Sequence, residues 1–309
     1  MTFTGFKDED FDAYLEKKRT SNVYNLERLE VKQKLAGLGK MVGQSLTALD
    51  GSILAMEFSS EHPALWNNHR VDSQTLFFSR NEEARRHLDG IISRERSIAS
   101  LVDEPSPQRN HIYLSLTIDH EGVEIALKLH ADAAVDRDNL QRKCEDFFQR
   151  EKILIAINAL PEEFRVGLSG QDAQPANALD DASFVKLVAD LPGQDHWFSL
   201  GTTLGRWDGR LSEPEFADLA LTYFNALQPV MHLMAWSRDN DTLSIREAIK
   251  EKATKQKSKG LQKGDQVRVV HGLFSGKIGE VQEIDSKGSL RVVIGNVPVK
   301  LSSEDVIAK

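Results

Sequence analysis

Apolar positions recur at helical spacing early in the chain. Val31, Leu35, Leu38, Val42 and Leu46 form one stripe and predict a helix over residues 21–47, weakened by Gly37, Gly39 and Gly43. A shorter helix is predicted near Asp8, with Phe11, Tyr14 and Leu15 on its apolar side. Residues 53–58 and 75–78 read as strands, and residues 82–97 as a helix. The clearest hairpin lies between His111 and His130: residues 111–118 alternate, His120-Glu121-Gly122 turns, and Val123 to Leu129 returns. One long helix is predicted over 134–160, ended by Pro161. Then come a strand at 164–168, a loop at 171–181, a helix at 184–191 stopped by Pro192-Gly193, and a strand at 197–201. The last helix of this part starts near Pro214 and runs to about Trp236.

These elements predict an α+β domain over residues 1–245, with a mixed or antiparallel sheet covered on one face by helices. Each half has strands followed by a long helix, so two subdomains are conceivable. The pattern changes at the C-terminus. Val267 and Val269 alternate about a pleat with Arg268, and Gly272, Gly276 and Gly279 punctuate a turn. Val281 and Ile284 resume a strand, residues 289–294 are a β-branched run, and residues 296–301 form a last short strand before Val306. Residues 264–309 therefore predict a small five-stranded β-barrel.

The series Gly272-Leu273-Phe274-Ser275-Gly276-Lys277-Ile278-Gly279-Glu280-Val281, after the strand Gly264-Asp265-Gln266-Val267-Arg268-Val269, resembles the KOW motif. That motif occurs in Nus-type transcription elongation factors and in proteins of the large ribosomal subunit. The resemblance covers about residues 260–309 and implies an SH3-like barrel that binds RNA, ribosomal proteins or RNA polymerase-associated factors. It implies binding rather than catalysis. Phe3-Thr4-Gly5-Phe6, Asp10-Phe11 and the run Lys34 to Gly39 are similar over a short stretch to the uncharacterised bacterial YktB-like proteins, which supply no activity.

Charge sharpens the division. The chain of 309 residues has a net charge of -8. Residues 246–263 carry seven basic residues against Glu247 and Glu251, and residues 264–309 carry six of each sign. That leaves about -13 on residues 1–245. An acidic body, a basic linker and a neutral barrel follow, and a body of that sign repels phosphate backbones. No run reaches transmembrane length, and the start of the chain lacks a basic lead and an apolar core. With Cys144 as the one cysteine, a reducing cytoplasm is expected.

Catalytic signatures are weak. Gly272 to Ile278 is one residue short of a phosphate loop, and no hydroxyl follows Lys277. The histidines have no HExxH spacing, and His120 stands too far along its hairpin to share a metal with His111 and His130. Asp119, Glu121 and Glu124 with Lys128 invite comparison with metal-dependent nucleases, but the paired Glu-x-Lys is missing. No G-x-S-x-G elbow is present. No cofactor or metal is expected.

Binding positions stand out instead. On the barrel they are Lys263, Arg268, His271, Phe274, Lys277, Arg291 and Lys300. A possible second site combines Trp197, after Asp195-His196, with Arg206, Trp207 and Arg210. Such a cluster can stack a base or clamp a carboxylate or phosphate, or its tryptophans can be core anchors and its arginines paired on the surface. The expectation is a non-enzymatic binding protein of the transcription or translation machinery. The alternatives are an enzyme on nucleic acid or nucleotide that the barrel targets, and a structural scaffold.

Overall fold

The structure, a computed structural model, describes residues 3–85, 88, 107–193, 196–237, 239–242, 263–272, 274–284, 289–295, 297–302 and 305–308. It divides into two compact units, Met1–Leu243 and Ser244–Lys309.

In the first unit seven strands form one antiparallel sheet. They are β1 (Ala55–Phe58), β2 (Ser73–Ser79), β3 (Tyr113–Asp119), β4 (Gly122–His130), β5 (Arg165–Leu168), β6 (Gln174–Pro175) and β7 (Trp197–Gly205). Their spatial order is β1-β2-β3-β4-β7-β5-β6. No break separates the two halves of this sheet, because β7 pairs along its whole length with β4 and then with β5.

The β3–β4 turn is set locally. The Asp119 carboxylate accepts hydrogen bonds from the backbone N–H groups of Glu121 and Gly122, at 2.7 and 3.0 Å. Period-two alternation then sorts the faces. Leu114, Leu116, Ile118, Val123, Ile125, Leu127, Leu129, Phe198, Leu200 and Leu204 are all buried in one core. The helices that cover this face are α2 (Asn25–Val42), α3 (Ala134–Glu145), α4 (Phe147–Asn158), α5 (Asp181–Asp190) and α6 (Phe216–Met234). The opposite face carries Thr75, Phe77, Tyr113, Thr117, Glu124, Lys128, Trp197 and Ser199.

The predicted helix over 21–47 is α2, with single 3-10 turns at each end. Its stripe Val31, Leu35, Leu38 and Val42 is buried. The short helix α1 (Asp8–Asp12) follows an aromatic anchor: Phe3 and Phe6 pack edge-on at 5.1 Å, and Phe6 meets Phe216 of α6 at 5.8 Å.

Two expectations are corrected. The single helix over 134–160 is two helices, because Asp146 takes an extended backbone (φ -87°, ψ 120°). Its carboxylate accepts from Gln149 N at 2.9 Å and caps α4, so an N-cap residue overrides the continuous periodicity. The strand expected at 197–201 runs on to Gly205 through Thr202 and Thr203, where pairing with β4 outweighs the loss of apolar residues. The helix expected at 82–97 lies mostly outside the described residues, as does the linker.

The second unit is a five-stranded antiparallel sheet of β8 (Gln266–Val269), β9 (Ile278–Ile284), β10 (Ser289–Ile294), β11 (Val297–Ser302) and β12 (Val306–Ala308). The order is β11-β10-β9-β8-β12. The expected β-barrel is corrected here: among the described residues β11 and β12 are the edges and do not pair, so the sheet is open. Its core is Val267, Val269, Val281, Leu290, Val292 and Val306. Gly279 is required by close approach, since a Cβ there would lie 2.5 Å from Val292 Cγ1 and 2.7 Å from the Val293 carbonyl oxygen. Gly272 and Gly276 both have φ of 84° in the β8–β9 turn, a conformation that side chains resist.

Candidate functional site

On the small sheet, alternation puts Val267 and Val269 inward and Arg268 outward. By the same rule Leu290 and Val292 are inward and Arg291 outward. Lys263, Arg268, His271, Lys277, Arg291 and Lys300 are all exposed. Arg268, Lys277 and Arg291 form no ion pair among the described residues. Phe274 is half-buried and packs against the small core, so much of its ring is committed there.

The strand register divides the basic residues into two groups. Arg268 stands opposite Ile278, beside the turn that carries His271 and Lys277. Arg291 stands opposite Glu283 on one side and Lys300 on the other, and Gly264 N–H bonds the Val281 carbonyl, which places Lys263 toward this end. From Ile278 to Glu283 is five steps of β9, about 17 Å at the usual rise. The register between β9 and β10 shifts between Arg291 and Val292, which bends the sheet where the second group sits.

The second set of candidates does not come together. Trp197 starts β7 and packs on Tyr113 at 5.9 Å and on the buried His130 ring at 4.3 Å. Arg206 and Trp207 follow the other end of the same nine-residue strand. There, Arg206 Nη2 bonds Asp12 Oδ1 at 3.0 Å and the Asp8 carbonyl at 3.4 Å. Its guanidinium lies 5.6 Å from the Phe11 ring and 4.6 Å from the Trp207 ring. The rest of Trp207 faces outward, 77% exposed. Arg210 is held by both oxygens of Asp208, at 2.9 and 2.6 Å. That pairing pulls the Asp208 carboxyl below its usual range and raises Arg210 further. Both arginines are therefore taken by carboxylates, and neither is available to clamp an anion.

A buried polar cluster went unread in the sequence. Arg80 makes a two-pronged ion pair with Asp136, at 2.6 and 2.5 Å, and also donates to the Trp236 carbonyl at 2.6 Å. Asp136 accepts from the backbone N–H groups of Ile112 and Trp236, at 2.9 and 2.8 Å. Lys143 donates to the Leu233 carbonyl, and Asn240 Nδ2 donates to the carbonyls of His232, Leu233 and Ala235. These groups satisfy the orphan carbonyls at the C-terminal end of α6, where positive charge is also favoured by the helix dipole. Burial alone would raise the Asp136 carboxyl. The Arg80 charge and its hydrogen bonds outweigh burial and bring it below the ordinary value, with His111 and the Ile112 N–H adding to the effect. Burial pushes Lys143 down to about 8 and Cys144 up to about 12.

Two further readings of the hairpin resolve. Among the described residues, His111 sits 3.4 Å from Arg80 in that cluster, and His130 Nδ1 accepts from Asp132 N–H at 3.0 Å. Glu124 and Lys128 do share a strand face and pair with each other at 2.5 Å. Among the described residues no three His, Cys, Asp or Glu side chains converge as a metal ion would require. No helix among them is long and apolar enough to cross a membrane. No protein-family model matches the chain, and no curated protein is similar enough to align with it.

Proposed function

We propose that the chain is a non-enzymatic, cytoplasmic binding protein of the gene-expression machinery, and that its C-terminal sheet is an SH3-like unit of KOW type that holds single-stranded RNA. The observation that carries this reading is the set of Arg268 and Arg291 on the outward side of the sheet and Lys277 in the adjoining turn, all exposed and without an ion-pair partner among the described residues. Side chains of that kind are free to neutralise phosphates, and two basic groups about 17 Å apart span a few nucleotides of strand. The acidic body keeps the strand off its own surface by repulsion. The buried ionisable cluster does not favour an enzyme, because its charged atoms are spent on one another and on backbone groups.

The test is a titration of the full chain into a fluorescein-labelled oligouridylate, followed by anisotropy across a salt series. Lys277→Glu should weaken binding and reduce the slope of log affinity against log salt by about 0.7 or more. An unchanged slope removes Lys277 from the interface. If the wild-type chain binds no RNA, the RNA reading fails. A pull-down with and without ribonuclease then decides between a ribosomal or RNA polymerase protein as the partner and no such partner at all.

A further inference from the structure

The surface around Trp207 has the opposite character from the small sheet. We propose that Trp207 is the anchor of a second docking site, on the first unit, that takes an arginine- or lysine-bearing segment of a partner protein.

The indole is held rather than loose. Its inner face rests on the Arg206 guanidinium at 4.6 Å. That guanidinium is fixed in turn by Asp12, by the Asp8 carbonyl and by the Phe11 ring. The Arg206 backbone N–H is tied to the Glu121 carbonyl at 2.7 Å, and Asp208 N–H to the Gly205 carbonyl at 2.8 Å. The large exposed ring therefore stands on an ordered base, which lowers the entropy cost of burying it against a partner. Tryptophan is also the residue type most enriched among the dominant contacts of interfaces.

Charge complementarity selects the occupant. The segments that meet here, residues 7–12, 119–121 and 206–210, hold seven carboxylates against three fixed cations, and since the buried Asp10 pairs with Lys34 from outside them, six face those three. Arg206 and Arg210 are both consumed by neighbouring carboxylates, while Asp8 and Glu121 remain well exposed, at 62% and 79%. An aromatic face within a carboxylate rim attracts a guanidinium or ammonium group, through the ring quadrupole and through the acids. It repels a phosphate chain, so a nucleobase stacked on Trp207 would bring unfavourable charge with it.

The experiment uses the full chain with nitrogen-15 in its tryptophan indoles. It is titrated with an arginine-rich decapeptide, with the same peptide bearing glutamate for arginine, and with oligouridylate. The arginine peptide should move the Trp207 indole signal; the glutamate peptide and oligouridylate should leave it in place. Trp207→Ala should weaken the arginine peptide by about tenfold or more, and Trp207→Phe, which keeps a ring, should retain most of the affinity. Because the side chain is exposed, both variants should keep the wild-type melting behaviour. Equal binding of the arginine peptide by wild type and Trp207→Ala would mean diffuse attraction to an acidic body and would overturn the proposal. A shift of the Trp207 signal caused by oligouridylate would overturn it too, in favour of base stacking.

Discussion

Replacing Asp136 with asparagine isolates what the buried ion pair does. The substitution preserves shape but removes the charge that faces Arg80. An asparagine oxygen can still accept from either Ile112 or Trp236 N–H, but its amide nitrogen would turn a donor toward a guanidinium that also donates. Asp136 is fully buried and the Arg80 side chain is 9% exposed, so water cannot replace the lost partner. Removing one member of such a pair costs ~3–5 kcal/mol, against a total stability of ~5–15 kcal/mol for a domain. For a unit of this size that corresponds to a fall in melting temperature of ~6–20 °C. Urea unfolding followed by circular dichroism and tryptophan fluorescence reads it. The double variant Asp136→Asn, Arg80→Met should recover part of the loss, because no charge is then stranded. The acid limb should change as well. The folded-state value of Asp136 is depressed, so its contribution is present above the unfolded carboxylate value near pH ~3.9 and is lost as pH falls through the folded one. Asp136→Asn should flatten that limb. A loss below ~1 kcal/mol, or a double variant no more stable than the single one, would refute the reasoning.

Gly279→Val should unfold the small sheet while leaving the body's transition in place, because the new side chain collides with Val292 and the Val293 backbone; a separate early transition in calorimetry reads this. Lys143 is depressed to about 8, so the unfolded chain binds more protons than the folded one above that pH, and stability should rise from pH 8 to 9. Lys143→Met should abolish the rise, measured by urea midpoints across that range. Cys144, buried and raised to about 12, should stay unreactive toward a chromogenic disulfide reagent in the native protein and react fully in denaturant; its own contribution is lost only as pH rises above its unfolded value.

Local signals were the legible ones. The hairpin was readable because its alternation and its His120-Glu121-Gly122 turn are both written within twenty residues, although the Asp119 carboxylate that ties the turn emerged only from the structure. The β10 strand and the glycine turn of the small sheet were readable for the same reason. The Asp146 break was hidden because apolar residues on both sides of it keep a helical period, and one capping side chain decides the matter. The basic positions of the small sheet could be named, but the register that separates Arg268 from Arg291 could not. Trp197 and Trp207 looked like neighbours in sequence, and a strand of nine residues holds them apart. The ion-pair cluster was illegible for a different reason. Arg80, Asp136 and Trp236 are ordinary surface-type or core-type residues in their own segments, and only tertiary folding assembles them.

The placing of β7 between β4 and β5 has a consequence for synthesis. When the ribosome has completed β4 at His130, the strand's partner ends only at Gly205. At ~5–20 residues per second the wait lasts ~4–15 s. Any sheet of β1 to β4 that forms in that interval has a nine-residue strand containing Val123, Ile125, Leu127 and Leu129 as its open edge. Such an edge is a template for pairing with other chains. A slow stretch of translation between the two strands would lengthen the exposure, so the yield of soluble protein should depend on synthesis rate and on chaperone supply more than the stability of the finished sheet suggests.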